Sequence, residues 1–349
     1  MIVSKPTTLI STAAAAAAAA LLATTANATP LLPRAPALAA AQTLYQFPDG
    51  TWLENIAARP NGNLLVTVLS PAGPPARLYE IDPSSPSAPP SLVHAFDAYE
   101  SLLGIDEVAP DVFALIAGNT STLGPYAIWT VDLSKSDGGA AAEKVADVPG
   151  AQLLNGLTAL PGGAAVLVTD TFLGKVSRVD LAAGEAVDVL ADAETMTPPT
   201  EGNVLLGVNG VRFVEQDGKS WVYYTNSGKE LFARVEVDAE TGLAKGKYEL
   251  LARGLAGDDF AVKDGWAYVA EGWKERVVRV SLVPGGGIEV VVGSADELTV
   301  AGATSAVFGR REGVDDAVLY VATSGAQEVP VNGVTEGGKV VAVDIGGWR

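Results

Sequence analysis

The chain has 349 residues, 41 of them acidic and 23 basic, and the net charge of −18 excludes nucleic-acid backbones and anionic membranes as partners. It has no cysteine and one histidine, which removes disulfide scaffolds, thiolate metal sites, cysteine nucleophiles and multi-histidine metal centres. With 48% apolar and 18% charged residues, the composition is that of a chain with a large core.

Residues 1–28 read as a secretory signal peptide. Lys5 supplies the charged start, Ala13 to Leu22 the apolar stretch, and Ala26-Asn27-Ala28 a cleavage site. The apolar stretch is shorter than the ~20 residues of a membrane span, and no later run reaches that length. The expected location is therefore outside the cell or in the secretory lumen. Residues 29–42 are Pro- and Ala-rich and read as a loose lead-in. Asn119-Thr120-Ser121 is a glycosylation sequon, meaningful only in a secreted protein.

From residue 43 onward one layout recurs six times, at intervals of about 50 residues. Each unit opens with a short apolar strand behind a polar residue, at Asn55, Leu103, Asn155, Asn209, Asp259 and Thr304. A turn and a second, β-branched or aromatic strand follow, such as Ala165–Thr169 and Trp221–Thr225. Third strands often end in Asp, as at Asp82, Asp132 and Asp180, and a looser fourth strand completes five units. The sixth has no room for its fourth strand, whereas Thr43–Phe47 has the matching pattern. The expected fold is all-β: a six-bladed β-propeller over residues 43–349, its ring closed by the N-terminal strand joining the last blade.

In such a ring the residues opening each innermost strand converge near the axis at one mouth. They are Glu54 and Asn55, Asn155, Asn209, Asp258 and Asp259, and Thr304 and Ser305, with Glu100 and Ser101 slightly earlier in the second unit. The ends of the second strands supply a further ring: Thr67, Asn119, Asp170, Thr225 and Asn226, Glu271, Thr323 and Ser324. Carboxylate and amide oxygens without sulfur or imidazole suit a hard cation such as Ca²⁺. The plainer reading of any one of these residues is a cap on channel-side backbone groups. Trp52, Tyr126, Phe172, Phe260 and Trp273 lie near the mouth loops, where they would either wall an apolar ligand or pack between blades. His94 falls in an outermost strand. No Gly-x-Ser-x-Gly and no strand–Gly-rich loop–helix unit is present, so nucleophile-elbow hydrolysis and nucleotide binding have no support.

Glu54-Asn55-Ile56-Ala57, Asn155-Gly156-Leu157-Thr158, Asn209-Gly210-Val211 and Asp258-Asp259-Phe260-Ala261-Val262 resemble the gluconolactonase/senescence-marker (regucalcin-like) six-bladed propellers. That resemblance implies that Glu54, Asn155, Asn209 and Asp259 hold one divalent cation and that Asp259 serves as general base. The run from Glu54 to Thr67, Tyr223-Tyr224-Thr225-Asn226-Ser227 and Ala303 to Arg310 are similar to a branch of secreted fungal propellers of secondary metabolism. This branch includes hetero-Diels–Alderases that join a tropolone-derived quinone methide to a humulene-type sesquiterpene. The resemblance implies a cyclase that needs no cofactor, with a small apolar or aromatic substrate. Asp259 and Glu54 would move protons, and Asn155, Asn209, Thr304, Ser305, Trp52, Phe172, Asn226, Glu271 and Trp273 would contact the substrate, with Asn155 and Asn209 donating hydrogen bonds to the developing oxyanion. The alternatives are a metal-dependent lactonase and a non-catalytic binder of apolar molecules.

Overall fold

The computed structural model describes residues 37–69, 73–135 and 139–348, so the expected signal peptide lies outside the described residues. The chain enters through strand β1 (Ala40–Gln46). The first blade is β2 (Trp52–Ala58), β3 (Leu64–Leu69), β4 (Ala76–Ile81) and β5 (Ser91–Phe96). The second is β6 (Ser101–Ala109), β7 (Val112–Gly118), β8 (Tyr126–Asp132) and β9 (Ala141–Asp147). The third is β10 (Leu154–Ala159), β11 (Ala165–Asp170), β12 (Lys175–Asp180) and β13 (Ala186–Ala191). The fourth is β14 (Val208–Gln216), β15 (Lys219–Asn226), β16 (Leu231–Val237) and β17 (Ala244–Arg253). The fifth is β18 (Phe260–Lys263), β19 (Trp266–Glu271), β20 (Arg276–Ser281) and β21 (Ile288–Gly293). The last comprises β22 (Ala303–Phe308), β23 (Val318–Thr323) and β24 (Lys339–Asp344), with β1 antiparallel to β24 as its outer strand.

Closure is direct. The innermost strands β2, β6, β10, β14, β18 and β22 contact one another in chain order, and β22 returns to β2. Each adjacent pair of blades encloses its own apolar core. Between the fourth and fifth blades, for example, Tyr223, Phe232, Phe260 and Val269 are buried together. Leu44 of β1 and Phe47 just beyond it join Leu64, Val66 and Val340 between the last and first blades. Second strands lie between two blades and are buried on both faces, which explains their β-branched and aromatic content. Outer strands such as β13 are mostly exposed.

Turn chemistry separates the strands. Asp217-Gly218 and Asp264-Gly265 each form a two-residue hairpin loop with positive φ at both positions, where Asp tolerates and Gly favours the left-handed region. Strand β1 starts three residues before the expected one. Ala40, Ala41 and Gln42 pair with Asp344, Val343 and Ala342, so a ladder with β24 overrides their weak β propensity. Among the described residues no helix is long and apolar enough to cross a membrane.

Candidate functional site

The innermost strands carry a bulge at the same level in five of the six blades: at Glu54, Leu103-Gly104, Asn155-Gly156, Asn209-Gly210 and Thr304. A bulge leaves an extra residue unpaired and re-aims its side chain. Threonines at the ends of the second strands hold several of them. Thr169 Oγ1 accepts from Gly156 N (2.8 Å) and donates to the carbonyl of Asn209 (2.7 Å). Thr225 Oγ1 repeats this one blade on, accepting from Gly210 N (2.9 Å) and donating to the carbonyl of Asp258 (2.6 Å). Asp258 therefore occupies in the fifth blade the place that Asn209 occupies in the fourth.

This equivalence creates two layers. The mouth layer is Glu54, Leu103, Asn155, Asn209, Asp258 and Thr304. The residues immediately after them form a deeper layer: Asn55, Gly104, Gly156, Gly210, Asp259 and Ser305. Three glycines are required there, because a Cβ at Gly104, Gly156 or Gly210 would run into backbone of the next blade. The other three side chains form a buried polar cluster. Asp259 Oδ2 accepts from Asn55 Nδ2 (2.8 Å) and from Arg212 (2.7 Å), with Ser305 Oγ 3.2 Å away.

The mouth layer opens into a cavity of about 240 Å³. Its polar wall is Glu54, Thr120, Asn155, Asn209, Asp258 and Glu328. Its apolar wall includes Trp52, Phe172, Trp273, Leu103, Leu153 and Leu206. Of the residues expected from the sequence, Glu54, Asn155, Asn209, Trp52, Phe172 and Trp273 meet here. Asp259 does not line this cavity; its neighbour Asp258 does. The sequence alone aligned Asp259 with Asn155 and Asn209, because a one-residue offset is invisible where the usual Gly is replaced by a second Asp.

Thr304, Ser305, Asn226 and Glu271 also lie off the cavity wall, and each is engaged by the protein. Thr304 Oγ1 donates to Leu53 O (2.8 Å), and Ser305 belongs to the Asp259 cluster. Asn226 donates to the carbonyls of Thr195 and Thr197 and accepts from Lys229 N. Glu271, fully buried, accepts from Ala256 N and pairs with Lys274 and Arg276. Tyr126 and Phe260 are interblade core. Asn119 flanks the mouth, its Oδ1 accepting from Glu100 N (3.0 Å).

Electrostatics mark the mouth. Burial, reinforced by the charge of Asp259, raises Glu54 to about 7, although Trp52 Nε1 donates to its Oε2 at 2.7 Å and Asn155 hydrogen-bonds it. Asp258 lies well above the usual carboxylate range, first because it is buried, then because Glu54, Glu328 and Asp259 crowd it with like charge. Asn209 shows how the site meets a ligand. Its Nδ2 donates to Ser227 Oγ (2.9 Å) and Asp258 Oδ1 (2.8 Å), while Ser227 Oγ donates onward to Gly257 O. Both amide protons are thus engaged, and Oδ1 is a buried acceptor without a partner in the protein. Asn209 offers a ligand an acceptor, where an oxyanion-stabilising role would require a donor.

No protein-family model matches the chain. It is 30% identical over 337 residues to a protein of Phoma sp. named "Putative hetero-Diels-Alderase", spanning 87% of this chain and 90% of that one. The chain belongs to this family. Within the same family, "Putative hetero-Diels-Alderase asR5" of Sarocladium schorii is 28% identical, spanning 90% of this chain and 86% of its own. The family fold is that of the regucalcin-like propellers. Regucalcin of Agrobacterium tumefaciens superposes with a TM-score of 0.60 at 17% identity, over 88% of this chain and 95% of that one.

Proposed function

We propose that the protein is a cyclase that dehydrates a hydroxylated tropolone-type precursor to a quinone methide and directs its cycloaddition with a humulene-type sesquiterpene. The observation that carries this reading is one cavity in which an acid–base set and an apolar, aromatic wall face each other. Glu54, raised to about 7, takes the proton of the ring hydroxyl near neutral pH. Asn209 Oδ1 orients that hydroxyl by accepting its hydrogen bond. The departing hydroxyl takes up a proton from an acid of the cavity as its carbon–oxygen bond breaks and leaves as water, and the cycloaddition forms two bonds with no further proton transfer. A cavity of about 240 Å³ is smaller than the ~300–1,000 Å³ of a drug-sized ligand's site, so it seats the ring while the alkene lies across the mouth. Proximity and exclusion of water supply the acceleration. The same proposal includes a secretory leader and a glycan on Asn119.

The test is to incubate purified protein with the hydroxylated precursor and a humulene-type alkene. The expected product forms faster than background and as one stereoisomer by chiral chromatography. Racemic product at the background rate overturns the reading.

A second reading is favoured by the unpartnered Asn209 Oδ1. With Glu54, Asn155 and Asp258 it makes an all-oxygen donor set that fits a divalent hard cation. A bound cation would polarise a lactone carbonyl, and Asp258 would take the proton of the attacking water. An equimolar divalent ion in native protein, lost in Asp258→Asn, supports this alternative; metal-free protein with lactonase activity rejects it.

A further inference from the structure

Glu328 lies outside the sixfold pattern. It reaches the cavity from the connection between β23 and β24. That connection is pinned beside it: Gln327 Nε2 donates to Thr51 O (2.9 Å) and Ser324 O (2.6 Å). Glu336 N and Gly338 N donate to Gly325 O and Thr51 O. Gly272 lies beside the carboxyl, since a Cβ there would make ordinary van der Waals contact with Glu328 Oε2 at 3.7 Å. The other two acids of the cavity are tethered, Glu54 by Trp52 and Asp258 by Asn209. Among the described residues Glu328 makes no hydrogen bond and no ion pair.

We infer that Glu328 is the acid that protonates the departing hydroxyl, a role that rests on the dehydration proposed above. Its setting favours the protonated form. Enclosure of the carboxyl and the charges of Glu54 and Glu275 push it up to about 8, a push that the residue's exposure to solvent partly screens. The step balances. The Glu328 carboxyl O–H gives its proton to the hydroxyl oxygen as the carbon–oxygen bond breaks, and water leaves. Glu54 takes the ring hydroxyl proton, and solvent at the mouth returns a proton from Glu54 to Glu328. The net change is loss of one water from the substrate, with no oxidant or reductant.

Two precursors distinguish the role from a structural one: the free alcohol, and its acetate ester, whose leaving group departs without an acid. In Glu328→Gln, turnover of the alcohol is expected to fall about 100-fold or more, while that of the ester stays within about twofold of wild type. The alkaline limb of the pH–rate profile for the alcohol should vanish with it, and Glu328→Asp should recover part of the rate. Equal losses on both precursors, or no loss on the alcohol, overturn the assignment. A wild-type protein that accelerates neither precursor overturns the dehydration reading itself. Thermal melts of both variants confirm folding, and equal losses in a folded variant count against the acid role.

Discussion

Glu54 carries the link between site and stability. Its carboxyl is buried, receives one indole hydrogen bond and faces the charge of Asp259, so its value rises from 4.5 to about 7. A carboxyl raised in the folded state favours the protonated native form. Its stabilising contribution is complete below about 4.5 and is lost as pH rises through about 7. The shift corresponds to roughly 3 kcal/mol. Denaturant midpoints of the wild-type protein are therefore expected to fall between pH 4.5 and 8, and Glu54→Gln should remove roughly 3 kcal/mol of that fall. An unchanged slope in the variant would mean that Glu54 ionises as freely as in water. Asp258, raised by burial and then by the charges of Glu54, Glu328 and Asp259, acts in the same direction, as does Glu328, raised by enclosure of its carboxyl and then by the charges of Glu54 and Glu275.

The inner-strand bulge is the element that aims the chemistry. At Gly210 a Cβ would lie 2.6 Å from the carbonyl of Asp258 and 2.5 Å from Asp259 Oδ1, so the fourth blade approaches the fifth only through a bare backbone. Gly210→Ala is expected to cost about 1–3 kcal/mol through overpacking. It should also displace Asp258 and lower kcat/KM for cyclisation by about 100-fold. Gly287→Ala is the control, since a Cβ there meets nothing within 4 Å, and its effect should stay within about 0.5 kcal/mol. Equal midpoints and rates for the two variants would separate the bulge from the site.

The whole ring depends on strands from both ends of the chain. β1 covers the edge of β24, Leu44 and Phe47 fill the core between the last and first blades, and Trp348 Nε1 donates to Ala37 O (2.6 Å). Removing residues 1–47 uncovers a strand edge and deletes two buried side chains worth about 3–6 kcal/mol. The truncated chain is expected to aggregate or to lose its cooperative far-UV melt, as size-exclusion chromatography and circular dichroism would read. A monomer with a wild-type melt would show that the ring holds without its closing strand.

The propeller was legible in the sequence because the blades repeat one local code: a turn and a two-sided apolar strand in each, with a polar opening and a closing Asp in most. Local codes determine strand existence, blade count and the matching pattern of Thr43–Phe47. Glu54, Asn155 and Asn209 were legible for the same reason, since each opens a repeat. Asp258 was not separable from Asp259, because the choice depends on which carbonyl Thr225 reaches across the blade boundary. The donor-to-acceptor reversal at Asn209 depends on Ser227 and Asp258, and the third acid, Glu328, comes from a connection with no counterpart in the other blades. Periodicity places backbone. Contacts between blades, which no local pattern encodes, decide which side chains face the ligand and which protons they hold.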